Sequence, residues 1–237
     1  MTQLVFLHGP GAGGCAQSFR YQLEHFKGSL APELPGHLSG TSCPNVERYT
    51  EWVRGWLWAQ GHQRDLVLVG FTLGASIALQ YGLDYPEEVK GLVLMTAAMR
   101  AKGIKPEVFA NRLQAAKDPA VLEKWLDTMR EAMHFIDPAV REEMIAWHRK
   151  VGPRSQHDDL AAMEAFDVSD RIGTLKPRLL LIRGTERHVI PGDFDGDIHR
   201  AVPGSSMLSL PKSGHFPMAE HPTAVNRAIE EFLLTLG

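Results

Sequence analysis

The stretch "VLVGFTLGASIALQYG" (67–82) carries the first reactive group. A short apolar run leads into Gly70-Phe71-Thr72-Leu73-Gly74, and a small-residue helical pattern follows. Glycines flanking a hydroxyl residue between strand and helix allow a sharp turn that lifts the hydroxyl out of the sheet. The amide of Leu73 then lies at a helix N-terminus, where anionic charge is favoured. A second stretch, "LVFLHGPGAGG" (4–14), ends a strand in His-Gly and runs into a glycine-rich loop. Such a loop supplies backbone donors to a developing oxyanion. A third, "LPKSGHFPMAEHP" (210–222), places His215 in a loop after the last apolar run. A hydroxyl, an imidazole and backbone amides are the parts of nucleophilic acyl transfer.

The elements that would position these residues alternate. Apolar runs of strand length lie at 4–7, 65–70, 91–95, 178–184 and 207–210, with a shorter extended piece, "SLAPELPG", at 29–36. Most are continuously apolar, as expected for strands covered on both faces. Phe19, Leu23 and Phe26 share a helical face. So do Val46, Tyr49, Val53, Trp56 and Leu57, with Asn45 as a cap, and Val225, Ile229 and Phe232 in the tail. Strands alternating with helices predict an α/β class with a doubly wound, mostly parallel sheet and functional residues at strand C-terminal ends. Residues 101–172 break the alternation with three or four helical segments. Asp118 and Asp137 precede proline at helix starts. The expected organisation is a core of residues 1–100 and 173–237 with a helical lid at 101–172. Most Met, Phe and Trp of that block would pack it onto the body, and a few would line an apolar pocket.

Bulk properties narrow the classes. The 237 residues suit one domain with an insertion, and 44% hydrophobic and 22% charged content is that of a globular chain. A net charge of −3 gives no electrostatic case for nucleic acid or anionic membrane. No apolar run approaches the roughly 20 residues of a membrane span, and "MTQLVFLHG" has no leader character. Cys15 and Cys43 form no disulfide framework or metal spacing. A cytoplasmic protein with a small-molecule substrate, as monomer or homodimer, is the expectation.

Taken in order, "FLHG", "PELPGH", "LVGFTLGASIALQYGLDYPEEVKGLVL", "FDVSDRIGTLKPRLLLIRGTE" and "GHFPMAEHP" resemble the α/β-hydrolase superfamily over nearly the whole chain, in its cofactor-free ester-hydrolase branch with a helical lid. The chain begins at what would be that family's third strand. The resemblance implies that Thr72 is the nucleophile, His215 the base and Leu73 N–H an oxyanion donor. No cofactor and no metal are implied.

Three departures stand out. Threonine replaces serine, and its methyl stiffens χ1 at the attacking group. The acid position in "GTERHVIP" (184–191) holds Arg187, where loss of the acid costs about 10⁴ in kcat in serine proteases. Pro10 has no N–H where relatives donate one, so Gly11 or Ala12 would take over, with Gly11 the expected donor. Glu186, or one of Asp193, Asp195 and Asp197, would replace the acid only if folding brings it within hydrogen-bond reach of His215. Arg187 is either a drifted position or a contact for a substrate carboxylate or phosphate. "DFDGD" (193–197) fails the EF-hand pattern and reads as a solvated helix start. His8 and His37 shape turns, and "GPGAGG" lacks the ending of a phosphate loop.

The expected function is a slow ester or thioester hydrolase acting through Thr72 and His215 on a small, fairly apolar acyl group. The alternatives are a lyase- or decarboxylase-like member, or a ligand-binding protein that has lost its chemistry.

Overall fold

The computed structural model describes residues 2–11, 16–100, 103–186 and 193–237. Five strands form one sheet: β1 (Gln3–Leu7), β2 (Leu66–Phe71), β3 (Val89–Met95), β4 (Arg178–Gly184) and β5 (Ser206–Leu210). They pair in parallel in the order β1-β2-β3-β4-β5. Each boundary lies within two residues of the apolar run that predicts it. The extended piece at 29–36 contributes only Leu30, which bridges Val5 on the open side of β1. Pro32 and Pro35 have no N–H to continue that ladder.

Parallel crossovers need helices, and these cover both faces. On one side Val5, Leu7, Leu66, Leu68, Leu92 and Leu94 meet α2 (Val46–Ala59) and α3 (Leu73–Asp84). On the other, Phe6, Val67, Val69, Val93 and Met95 meet α10 (Pro222–Leu234) through Val225, Ile229 and Phe232. Successive strand residues point to opposite faces, so a strand buried on both sides must be apolar throughout. All six residues of β2 are buried. Each such Val or Leu contributes on the order of 2 kcal/mol. The Asn45 side chain accepts from Arg48 N at 2.9 Å and starts α2 as expected. The first helical stretch is a 3₁₀ turn at Ala16–Phe19 running into α1 (Arg20–His25).

Between β3 and β4 the described chain is helical: α4 (Pro106–Ala115), α5 (Pro119–Ala132), α6 (Pro138–Val151) and α7 (Pro153–Glu164). Asp118 caps α5 by accepting from Ala120 N, and Asp137 caps α6 by accepting from Ala139 N and Val140 N. Trp125, Leu126, Met133, Met144 and Ile145 extend the core of the α10 face. Among the described residues no helix is long and apolar enough to cross a membrane.

A buried histidine in this block lies outside the apolar logic. His148 of α6 is fully buried beside Trp125, with stacked rings 6.2 Å apart. Neither ring nitrogen has a hydrogen-bond partner among the described residues, and burial lowers its pKa to about 3. An unfolded chain protonates this imidazole below about pH 6.5, whereas the folded chain keeps it neutral down to about pH 3. Across that window the unfolded state binds the extra proton, so stability falls as pH falls. His148→Phe is expected to raise stability at pH 7 by roughly 1–3 kcal/mol, because it removes unsatisfied nitrogens. It should also remove roughly 1.4 kcal/mol per pH unit of acid destabilisation between pH 6 and 4. Urea titrations at both pH values check this, and equal slopes in the two proteins would refute it.

Candidate active site

The turn after β2 is tight because two glycines let backbone pack on backbone. A Cβ on Gly74 would stand 1.9 Å from Leu7 O, and one on Gly70 would stand 2.3 Å from Gly74 O. Gly74 N–H donates to His8 O at 3.0 Å, locking the start of α3 onto the end of β1. Between these glycines Thr72 is forced to φ 48°, ψ −105°. A β-branched residue with positive φ is strained, at a cost of order 1–3 kcal/mol. Thr72 is 7% exposed, and its Oγ1 has no hydrogen-bond partner among the described residues. Gly9 presses on it from the first loop: a Cβ there would meet Thr72 Oγ1 at 2.5 Å. Leu73 opens α3, so its N–H has no acceptor within the helix.

The C-terminal end of β3 ties three parts of the site together. Met95 O accepts from Thr72 N at 3.1 Å, and Thr96 Oγ1 donates to His215 O at 3.1 Å. Ala97 N donates to Asp195 Oδ1 at 2.7 Å. Three consecutive residues therefore hold the backbone of Thr72, the backbone of His215 and a buried carboxylate. Thr96 itself adopts φ 52° to make this corner. The ring of Phe71, next to Thr72, lies 5.2 Å from the His215 ring in an edge-on contact, and Phe216 packs 5.3 Å from Phe71.

The loop that carries His215 is shaped by Glu220 in the short helix α9 (Pro217–Glu220). Its carboxylate accepts from Ser213 Oγ and Gly214 N, both at 2.6 Å, and from Phe216 N at 3.3 Å. Three donors on both sides of His215 converge on one charge, which fixes the loop.

Asp159 of α7 links the helical block to this end of the sheet. It is fully buried. It accepts from Gly11 N at 2.8 Å and Tyr49 Oη at 2.5 Å, and it pairs with His37 Nε2 at 2.6 Å. Burial, and then the Asp159 charge, push the Tyr49 hydroxyl's pKa upward, so the hydroxyl remains a donor. Ser155, one turn earlier, donates to Gly36 O at 2.6 Å. Beneath them, Leu34 N–H donates to His8 Nε2 at 3.0 Å while His8 Nδ1 faces Gly9 O at 3.0 Å. Burial, then the neighbouring His37, hold the His8 pKa well below its ordinary value, so this imidazole is neutral with its proton on Nδ1. His8, Glu33 and His37 bring ligand-type atoms within 4.8 Å of one another, but both His8 nitrogens are committed to the backbone.

Residues 4–228 match the family model described as "Alpha/beta hydrolase family". The chain belongs to the alpha/beta hydrolase family. It is 25% identical to a 2-hydroxy-6-oxo-6-phenylhexa-2,4-dienoate hydrolase of Burkholderia cepacia, over 97% of this chain and 87% of that protein. It is 24% identical to a pimeloyl-[acyl-carrier protein] methyl ester esterase of Yersinia enterocolitica, over 97% of this chain and 92% of that protein. Among solved structures, the enol-lactonase of Burkholderia xenovorans LB400 superposes with a TM-score of 0.84 at 16% identity. That match covers 99% of this chain and 92% of the other, and it shows the fold.

Against this alpha/beta hydrolase frame the expected site residues separate. Thr72, Leu73 and the His215 loop meet at the ends of β2 and β3. Gly11 does not stand as an oxyanion donor here, because its only N–H is given to Asp159. Arg187 lies outside the described residues. The acidic trio divides. Asp193 is bound by Arg183 and Arg200, and Asp197 by Arg200, all at the surface. Asp195 is fully buried and turned toward Ala97, which corrects the reading of this stretch as a solvated helix start. It lies in the first turn of α8 (Phe194–Ala201), and an alternation of acid, spacer, acid could not tell the inward carboxylate from the outward ones. Glu186 is held at its backbone by Ser213 O at 2.9 Å, beside the same loop. Asp159 and Glu220 carried no signal beyond being acidic residues near histidines.

Removing Asp159 strands three buried donors. Asp159→Ala is expected to cost roughly 2–4 kcal/mol in urea unfolding. A loss under about 0.5 kcal/mol would mean that water replaces the carboxylate and that the helical block is not anchored here.

Proposed function

We propose that this chain hydrolyses a carboxylic ester or thioester with Thr72 as nucleophile, His215 as base and Asp195 as the acid that orients His215. The observation that carries the reading is the corner Met95-Thr96-Ala97, which bonds to Thr72 N, His215 O and the Asp195 carboxylate in turn. In the reaction Thr72 Oγ1 attacks the acyl carbonyl while His215 takes its proton. The oxyanion receives the Leu73 N–H. The leaving group departs with the proton from His215, and water activated by the same imidazole frees the acid. A buried carboxylate stabilises the imidazolium formed in each half.

The residues around Thr72 and His215 favour an apolar acyl group. Phe71 and Phe216 flank His215, and Phe135 of the helical block stands 3.7 Å from where a Gly214 side chain would begin. The block spanning 101–172 serves as the lid that closes this pocket, and the remaining chain serves as the core. The reaction is slow for two physical reasons. The Thr72 methyl restricts the rotamers from which the hydroxyl can attack, and the Gly11 amide, committed to Asp159, gives no help to the oxyanion, where a donor is worth about 10²–10³ in kcat.

p-Nitrophenyl butyrate hydrolysis tests the assignment. Thr72→Ala and His215→Ala are each expected to lower kcat/KM at least about 100-fold. Asp195→Asn should lower it by a similar factor with a changed pH profile, because His215 loses its orienting charge. Thr72→Ser should raise kcat by roughly tenfold through rotamer freedom alone. Hydrolysis unchanged by both alanine substitutions would be background and would overturn the assignment of Thr72 and His215.

A further inference from the structure

Beyond the reacting groups, the helical block holds a half-buried arginine with no ion-pair partner among the described residues. Arg112 of α4 is half-buried. Its Nη1 donates to Asn111 Oδ1 at 2.7 Å, and its Nε donates to Gln156 Oε1. Its guanidinium stands 5.5 Å from the centre of the Trp125 ring. Trp125 Nε1 also donates to Gln156 Oε1, at 3.1 Å, so one amide oxygen positions both the cation and the indole. No carboxylate forms an ion pair with Arg112 among the described residues, whereas Arg54 faces Glu88 and Arg149 faces Glu123. Burial lowers its pKa only to about 10, so it is cationic at pH 7. A guanidinium taken partly out of water without a counter-charge is costly unless a ligand supplies one. Two of its five N–H groups have acceptors among the described residues, which leaves a fork for a bidentate partner.

Its place relative to the active site follows from Gln156. The backbone of Gln156 lies against Gly11: a Cβ on Gly11 would stand 2.4 Å from Gln156 N. Gly11 is two residues from Gly9, which touches the position of Thr72 Oγ1. The cation is thus linked to the nucleophile's loop through one side chain of α7.

We infer that Arg112 binds the distal carboxylate of the substrate's acyl group, so that the preferred substrates are half-esters or half-thioesters of dicarboxylic acids. The fork and the planar Trp125 floor suit a planar carboxylate. A single guanidinium neutralises one charge, which favours a carboxylate over a doubly charged phosphate. The inference rests on the reading of Thr72 as nucleophile for its catalytic consequence, and on Arg112 alone for binding.

Two measurements separate these. In thermal-shift titrations at matched ionic strength, glutarate, adipate and suberate are expected to stabilise the wild-type chain by a few degrees, and butyrate and hexanoate much less. Arg112→Gln should abolish the difference and Arg112→Lys should retain part of it. In kinetics, the ratio of kcat/KM for mono-p-nitrophenyl adipate to that for p-nitrophenyl butyrate should exceed one in the wild type and fall at least about tenfold in Arg112→Gln. A wild-type chain that neither distinguishes dicarboxylates from monocarboxylates nor favours the charged ester overturns the inference, whether or not the variants fold. So does a preference unchanged in Arg112→Gln. Ester hydrolysis that depends on Thr72 but shows no such preference leaves the hydrolase reading and removes this one. A dicarboxylate shift lost with Arg112, beside hydrolysis indifferent to Thr72, does the reverse.

Discussion

The site depends on one close approach, that of the Gly74 backbone to the carbonyl of Leu7. No side chain fits in that gap. Because α3 can therefore start directly on the end of β1, the chain leaving β2 must reverse within about one residue. That residue is Thr72, and its left-handed backbone is the strain the packing imposes. The same contact aims the N-terminus of α3 at the space above the sheet, where the Leu73 amide has no acceptor in its own helix.

Rigid packing also gathers groups from distant parts of the chain. The β3 corner connects the elbow, the His215 loop and α8 through three adjacent residues, so a shift of one part shifts the others. Glu220 and Asp159 act in the same manner at one remove, each as a buried or half-buried carboxylate collecting several donors. A charge placed this way is stable because every donor that faces it is already desolvated, and it holds loops that have little apolar surface of their own.

The helical block does more than cover the sheet. Through Asp159 it takes the Gly11 amide, and through Gln156 it holds Arg112 and Trp125 beside the same loop. The glycine-rich loop is thus shared between the helical block and the sheet. This arrangement commits the Gly11 amide to Asp159 and places Gln156, the partner of Arg112, against the same loop.

What the sequence determined by itself was the part governed by local rules. Continuous apolar runs located all five strands, because burial on both faces requires them. Asn45, Asp118 and Asp137 marked helix starts through short-range capping, and Gly70-Phe71-Thr72-Leu73-Gly74 marked the elbow because only glycine permits its close contacts. What the tertiary structure alone decided was the fate of charged and polar groups. Asp193, Asp195 and Asp197 are equivalent by type and spacing, yet only the turn of α8 against Ala97 buries Asp195 while leaving the other two to surface arginines. The Gly11 amide was lost to a carboxylate 148 residues away. Hydrogen bonds of that kind depend on three-dimensional proximity between segments with no shared period, and no pattern along the chain encodes which donor meets which acceptor.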